Sequence, residues 1–235
     1  MMRFVGLRLL LAAAIAALPV PALAQAYQCR VPARVTVPTV RPDGPVRKVP
    51  ITGFTLALSW SPEFCKLRGR QGDMQCDGRN GHFGLIVHGL WPEGRGTWPQ
   101  WCPTPRRLSP AEARRNLCMM PSTRLQANEW AKHGACMVPA PESYFRITRI
   151  LFEGLRLPDL DRLSKEPDLT AGMLRNRFAA ANPGWPADAV GIRLNARGWL
   201  QELRLCYDRR YMPARCDRRR LGPADGTQVR IWRGL

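Results

Sequence analysis

Two of the three histidines in this chain stand beside residues that could take part in proton transfer. His88 begins the sequence His-Gly-Leu-Trp-Pro and follows the apolar run 83–87, so we expect its imidazole to emerge where a strand ends. Glu129, Lys132 and His133 occupy positions i, i+3 and i+4 of a predicted helix, which would place a carboxylate, an ammonium and an imidazole on one face. If this strand and this helix meet, the two imidazoles flank a shared substrate.

That combination suits the cleavage of an RNA phosphodiester without a metal ion. A neutral imidazole can remove the proton of a ribose 2′-hydroxyl while a protonated imidazole gives a proton to the departing 5′-oxygen, and the product is a 2′,3′-cyclic phosphate. Imidazole suits both tasks because its ordinary pKa lies near 6.5, and Lys132 could offset the negative charge of the transition state. DNA lacks the 2′-hydroxyl and would not be cleaved.

Each of these residues also has an ordinary structural interpretation. A single histidine in a tryptophan-containing turn is more often a packing or hydrogen-bonding residue, and Glu and Lys at helical spacing usually form a solvated ion pair of little energetic consequence. The functional interpretation gains its weight from the combination of the two segments. His82 is the third histidine, and it lies outside them. We expect it to be a surface or structural residue.

The composition predicts one globular, cationic protein. The chain has 235 residues, of which 45% are hydrophobic and eight are tryptophan, so it has enough material for a packed core and is not a disordered basic protein. Its 22 prolines and 20 glycines disfavour a bundle of long helices. The formal charge of +18 attracts any polyanion, including RNA, DNA, lipopolysaccharide and anionic lipid, or it merely marks a solvated arginine-rich surface.

The N-terminus has the pattern of an export signal. Two arginines precede the uncharged run 9–18, and Ala-Leu-Ala at 22–24 supplies the small residues that a signal peptidase needs, so residues 1–24 are predicted to be a signal peptide. Neither this run nor any later one is long enough to span a membrane. We therefore expect a periplasmic or secreted protein. In such a protein the eight cysteines predict up to four disulfides.

The elements that must position the histidines are predicted from periodicity. Residues 25–50 are rich in proline and valine and predict an extended N-terminal arm, and residues 51–235 predict a single catalytic domain. Strands are predicted at 53–60 with one buried face, and at 83–87, 190–194, 199–207 and 229–232. Helices are predicted near 110–119, 124–133, 142–157 and 170–181, and a loop at 65–80. In the third helix, we expect the core-facing stripe to comprise Tyr144, Ile147, Leu151 and Leu155. Strands from both ends of the chain, mixed with helices, indicate an α+β fold.

The two histidine segments resemble a pair of known signatures. Residues 88–92 read H-G-L-W-P, and residues 128–136 read N-E-W-A-K-H-G-A-C. They resemble the two active-site signatures of the ribonuclease T2 family of exported, disulfide-bonded endoribonucleases, typically H-G-L-W-P and H-E-W-x-K-H-G-T-C. Residues 54–65 look like the family's first core strand and the segment after it, residues 96–102 resemble its G-T-Y-P-x-x-C loop, and residues 205–207 give a weaker match.

The resemblance implies a fold and a set of catalytic residues. The fold is α+β, with a central, mostly antiparallel sheet, helices packed around it, and disulfide bonds. His88 is implied to be the general base and His133 the general acid, with Glu129 and Lys132 polarising or stabilising the phosphate in the transition state. The reaction is transphosphorylation to 2′,3′-cyclic phosphates, with further hydrolysis to 3′-nucleotides left open.

The resemblance also implies how substrate is held. Trp91 and Trp98 would stack on the base 5′ to the cut, and because stacking tolerates all four bases the specificity would be broad. Pro92 and Asn128 belong to the same substrate site. RNA is the expected partner, no metal or other cofactor is expected, and we expect a monomer.

Two disulfides follow from the resemblance. They join Cys102 with Cys136, and Cys206 with Cys216. How the other four cysteines pair is left open. They are Cys29, Cys65, Cys76 and Cys118.

Three positions depart from the family's pattern. Asn128 stands where the family usually has a phosphate-binding histidine, Ala135 replaces a threonine, and Trp98 stands where tyrosine is common. An amide can donate a hydrogen bond but brings no positive charge, so phosphate binding in the ground state is expected to be weaker. The exchange at Trp98 removes a hydroxyl and could change base preference.

Two other functions fit parts of the sequence. A metallohydrolase could bind zinc through His82, His88, His133 and Glu129. A non-catalytic cationic protein could capture RNA or envelope polyanions through charge alone. Cleavage in excess chelator and shortening of the RNA distinguish these alternatives from a metal-independent nuclease.

Overall fold

The computed structural model describes residues 26–70 and 72–234, which form an α+β fold around a four-stranded antiparallel sheet. The strands, in chain order, are β1 Ala26–Tyr27, β2 Gly53–Trp60, β3 His82–Phe83, β4 Leu85–Glu93, β5 Val190–Leu194 and β6 Leu200–Tyr207. The helices are α1 Ser61–Arg68, α2 Pro110–Arg115, α3 Thr123–Lys132, α4 Pro141–Glu153, α5 Leu160–Leu163, α6 Ala171–Ala181 and α7 Arg218–Leu221, with short 3₁₀ turns at Gly134–Cys136 and Ala187–Ala189. The main sheet has the order β4-β2-β6-β5, and β1 pairs with β3. The predicted fold class is confirmed.

The two faces of the main sheet carry different kinds of side chain. On one face, Leu56 of β2 lies between Leu90 of β4 and Leu205 of β6, and these fully buried side chains belong to the hydrophobic core. On the other face, Ala57 lies between Gly89 and Arg204. Because side chains alternate between the faces of a strand, this second face collects the polar residues of the site. Both faces of β2 are buried, whereas its alternation predicted one. The strand lies inside the sheet, and polar side chains cover its second face.

Helix α4 packs an aromatic stripe against the core. The buried side chains of this helix are Tyr144, Phe145, Thr148 and Phe152. The predicted stripe is confirmed in part: Tyr144 and Leu155 are buried, whereas Ile147 and Leu151 are only partly buried. The prediction left out the two phenylalanines. The helix buries the face that carries them, because burying their rings removes more apolar area from water.

Two predicted elements are wrong. The predicted loop 65–80 begins inside α1, whose first turn contains a proline and Glu63 and whose last turn contains Lys66 and Arg68. These residues suit the two ends of a helix dipole. The predicted strand 229–232 is not a strand, since it forms an isolated bridge in which Arg230 pairs with Trp199.

Four disulfides tie the described chain together. They are Cys29–Cys118, Cys65–Cys76, Cys102–Cys136 and Cys206–Cys216, so the two pairings implied by the resemblance are among them. The first fixes the start of the N-terminal arm to the segment between α2 and α3. Residues 28–52 contain neither helix nor strand, and one bridge joins Arg47 to Gln100. The predicted signal peptide, residues 1–24, lies outside the described residues, and the division into arm and catalytic domain stays a prediction.

No helix in the described residues has the length and apolar character needed to cross a membrane.

Candidate active site

His88 lies at a bulge within β4, not at the end of a strand as predicted. Ala57 pairs with Gly89 and Leu58 pairs with Val87, so His88 is the extra residue between two normal partners. A bulge twists a strand locally and redirects the side chain of its extra residue. The strand continues to Glu93 because the following residues pair with β2, and its proline is tolerated because β4 is an edge strand. The imidazole of His88 therefore projects from the middle of the polar face of the sheet.

A carboxylate of β6 holds His88. Nδ1 of His88 donates to Oε1 of Glu202 over 2.7 Å, and Arg204 donates to Oε2 of the same carboxylate from Nη2 at 2.9 Å and Nε at 3.1 Å. Burial alone would lower the pKa of His88, but the hydrogen bond to Glu202 and the charges of Glu129 and Glu202 outweigh it and raise that pKa. Burial would raise the pKa of Glu202, but His88 and Arg204 lower it to about 2. The raised pKa favours the protonated form of His88.

His133 lies at the end of α3, and its surroundings favour the neutral imidazole, in contrast to those of His88. The helix is started by Ser122, whose hydroxyl accepts from the backbone of Leu125, and His133 follows its last residue. The imidazole is buried, and its Nδ1 has no hydrogen-bond partner among the described residues. Burial and the charges of Lys132 and His88 lower the pKa of His133 to about 3. This imidazole is neutral at neutral pH.

The indole of Trp91 contacts both histidines. Its ring centroid lies 5.1 Å from that of His88 and 5.8 Å from that of His133, so one side chain contacts both imidazoles. Its Nε1 donates to Oε2 of Glu129 over 2.7 Å, and that same oxygen lies 4.0 Å from Nε2 of His133. Gly89 makes this approach possible, because a Cβ there would lie 2.1 Å from the Glu129 oxygen. The strand and the helix therefore meet at one site.

The side chains of Glu129 and Lys132, near the end of α3, have different surroundings. Burial raises the pKa of Glu129 despite the opposing charge of His88. Lys132 reaches instead to the N-terminal arm, where its Nζ lies 2.7 Å from Oδ2 of Asp43. The other oxygen of Asp43 accepts from Nε1 of Trp101 over 2.9 Å. The arm is therefore in contact with a residue of the predicted site.

The other residues predicted to contact substrate lie in different surroundings. Asn128 donates to Oε1 of Glu129 over 3.2 Å, so its amide orients the carboxylate. Pro92 is buried in β4, next to Trp91 and therefore on the opposite face of the strand. Trp98 is 39% exposed, and within the described chain its indole contacts Gln100 and Arg47 rather than the histidines.

No group of three or more His, Cys, Asp or Glu side chains in the described residues is arranged to hold a metal ion. The exposed His82 lies in β3, which pairs with β1 and is not part of the main sheet. The zinc set proposed as an alternative is therefore not brought together here.

Sequence reasoning missed four residues that surround the histidine pair. Glu202 and Arg204 come from β6, and Asp43 and Arg47 come from the arm. A charged pair at alternate positions of an otherwise apolar strand was a usable signal in β6, because it places two charges on one face. The arm carried no such signal.

Comparison with known proteins identifies the family of this chain. The model of the ribonuclease T2 family matches residues 51–167. A probable ribonuclease from Haemophilus influenzae is 31% identical over 185 residues, which are 72% of this chain and 62% of that protein, so this chain spans less than two thirds of the relative's length. Trichomaglin, described as an S-like ribonuclease, has 22% identity and a TM-score of 0.60 over 72% of this chain and 92% of its own. RNase NT, solved with 5′-AMP, has 20% identity and a TM-score of 0.58 over 77% and 98% of the two chains. The chain belongs to the ribonuclease T2 family.

Proposed function

We propose that the protein is an exported, metal-independent endoribonuclease that cleaves RNA by transphosphorylation of the 2′-hydroxyl, with broad base specificity. The observation that carries this proposal is the pair of imidazoles in contact with Trp91, one favoured as a cation by Glu202 and the other held neutral by burial. A general acid and a general base of the same residue type require this difference in environment.

The electrostatics favour an exchange of the roles that the resemblance implied. His133, which is neutral, removes the proton from the 2′-hydroxyl, and the 2′-oxygen then attacks phosphorus. His88, whose raised pKa favours the protonated form, gives its proton to the 5′-oxygen as the phosphorus–oxygen bond breaks. The products are a 2′,3′-cyclic phosphate and a free 5′-hydroxyl. One proton enters His133 and one leaves His88, so the pair returns to its starting state by exchange with water or by hydrolysis of the cyclic phosphate.

Two charged residues support this proton transfer. The cations that depress the pKa of His133 are offset when an anionic phosphate occupies the site, which makes the imidazole a better base in the complex than in the free protein. The carboxylate of Glu129, 4.0 Å from Nε2 of His133, stabilises the imidazolium that then forms. Lys132 has three N–H donors, so it can bind a phosphate oxygen while it keeps its contact with Asp43.

The wider parts of the proposal rest on general arguments. Four disulfides and the signal-like sequence at residues 1–24 support export to the periplasm or the medium. Stacking on an aromatic ring tolerates every base, and the partly exposed rings of Trp91 and Trp98 support broad specificity. A monomeric state and the absence of DNA cleavage belong to the same proposal.

The decisive experiment is digestion of a defined RNA and the matching DNA in excess chelator, followed by mass analysis of the ends. We expect RNA fragments that end in a 2′,3′-cyclic phosphate or a 3′-phosphate, and intact DNA. Cleavage that stops in chelator and returns with zinc would favour the metallohydrolase. A stable complex with RNA of unchanged length would favour a non-catalytic polyanion-binding protein.

A further inference from the structure

The N-terminal arm is built into the rim of the histidine site. The backbone N–H of Arg47 donates to the carbonyl of Gln100 over 2.9 Å, and the N–H of Gln100 donates back over 3.0 Å. The side chain of Gln100 also donates to the carbonyl of Pro45. The Cys102–Cys136 disulfide ties the same loop to the 3₁₀ turn after His133. The position of the arm is therefore set by backbone bonds and by the loop that borders the site.

The two charged side chains of this part of the arm are in different situations. The carboxylate of Asp43 is bound by both Lys132 and Trp101, so its charge is already compensated. The guanidinium of Arg47 lies over the ring of Trp98 at 4.5 Å, and its Nε donates to the carbonyl of Trp98. Its Nη2 is buried and has no hydrogen-bond partner in the part of the chain that the structure describes. Burying a donor without a partner is costly, so this guanidinium has hydrogen-bonding capacity that the described residues do not use.

The histidine pair has an arginine on each side. Arg204 lies over Trp91 on the side of His88, where the carboxylate of Glu202 neutralises it. Arg47 lies on the side of His133, and its charge is among those that lower the pKa of that imidazole. Within the described residues no carboxylate pairs with Arg47. The unpaired cation therefore stands on the side that handles the 2′-hydroxyl.

We infer that Arg47 binds the phosphate on the 5′ side of the nucleotide that supplies the 2′-hydroxyl, so that the N-terminal arm forms one wall of the RNA cleft. This inference rests on the proposed function. The planar fork of a guanidinium matches two oxygens of a phosphate, and stacking on Trp98 fixes its plane. The expected ligand is thus an internal phosphate of an oligoribonucleotide or the 5′-phosphate of a short one.

The test compares a dinucleoside monophosphate with the same compound carrying a 5′-phosphate. For the wild-type protein we expect kcat/KM to be roughly 10-fold or more higher with the 5′-phosphate, through a lower KM, because hydrogen bonds to charged groups contribute strongly to binding. Arg47→Gln should reduce this preference to within about twofold. The readout is the ratio of kcat/KM for the two compounds within each variant, because removing this charge also changes the pKa of His133 and with it the cleavage of both compounds. Arg41→Gln removes the same charge from an exposed position of the arm and is the matched control; it should keep the preference.

Three outcomes would overturn the inference. They are a wild-type protein that cleaves both compounds equally, an Arg47→Gln variant that keeps the full preference, and a preference lost equally in Arg41→Gln. Near-ultraviolet circular dichroism reports whether Arg47→Gln is folded, and Arg47→Lys keeps the charge without the fork, so it should show an intermediate preference. A wild-type protein that cleaves neither compound would instead overturn the proposed function, and this inference with it.

Discussion

Replacing Glu202 with glutamine should move one limb of the pH–rate profile, and the limb that moves shows whether His88 has the higher or the lower pKa of the histidine pair. The carboxylate accepts from His88 over 2.7 Å and helps to raise the pKa of that imidazole, so Glu202→Gln lowers this pKa. A general acid must be protonated, and activity is lost as the pH rises through its pKa. The basic limb should therefore move to lower pH.

The magnitude follows from the geometry and the exposure of the pair. The side chain of His88 is 35% exposed and that of Glu202 is 11% exposed, so solvent partly screens the interaction. An opposite charge at contact distance typically changes the balance between protonated and neutral forms by about 10- to 1,000-fold, and with this screening we expect roughly 10- to 100-fold. The loss of kcat/KM at a pH above the original pKa of His88 should have the same size, and the loss near pH 5 should be much smaller.

The assay is kcat/KM for a dinucleoside monophosphate between pH 4 and 9, with a histidine titration followed by NMR. Glu166→Gln removes a partly exposed carboxylate that pairs with Arg177, and is a suitable control because neither residue contacts the histidines. Movement of the acidic limb instead of the basic one would mean that His88, and not His133, has the lower pKa of the pair. A uniform loss at every pH, with no limb displaced, would refute the argument that Glu202 acts through the charge of His88.

Two further predictions concern the histidines themselves. His88→Ala and His133→Ala should each reduce turnover by roughly 100- to 10,000-fold in a cleavage assay at pH 6–7, whereas His82→Ala should stay within a few-fold of wild type; activity retained in either site variant would refute the acid–base assignment. The pKa of His133 is about 3 in the folded protein and near 6.5 when unfolded, so the unfolded state binds the proton first and the free energy of unfolding falls as the pH drops from 6.5 toward 3. The fall contributed by this residue approaches about 1.4 kcal/mol per pH unit, and urea unfolding at pH 4.5–7 should show a flatter dependence in His133→Gln if that variant folds; equal slopes would contradict the burial argument.

The sequence was sufficient to predict those parts of the molecule in which neighbouring residues carry the information. The alternation in 53–60 and the spacing of Glu129, Lys132 and His133 are local patterns, and they predicted β2, α3 and the second histidine. Helix α1 was not predicted. Its proline, acidic and basic residues are correctly placed for the two ends of a helix, but the flanking glycines and charges suggested a loop.

The tertiary structure alone decided what surrounds the two histidines. The bulge that aims His88 exists because β4 and β2 differ by one residue in register, and no property of the segment 83–93 reveals that difference. Glu202 lies 114 residues from His88 in sequence, and Asp43 lies 89 residues from Lys132. Their contacts arise from strand pairing and from the docking of the arm. The protonation states of the two imidazoles depend on these distant charges and on burial. The sequence could therefore predict which residues are candidates for the chemistry, and the fold determined the surroundings that favour the protonated form of one imidazole and the neutral form of the other.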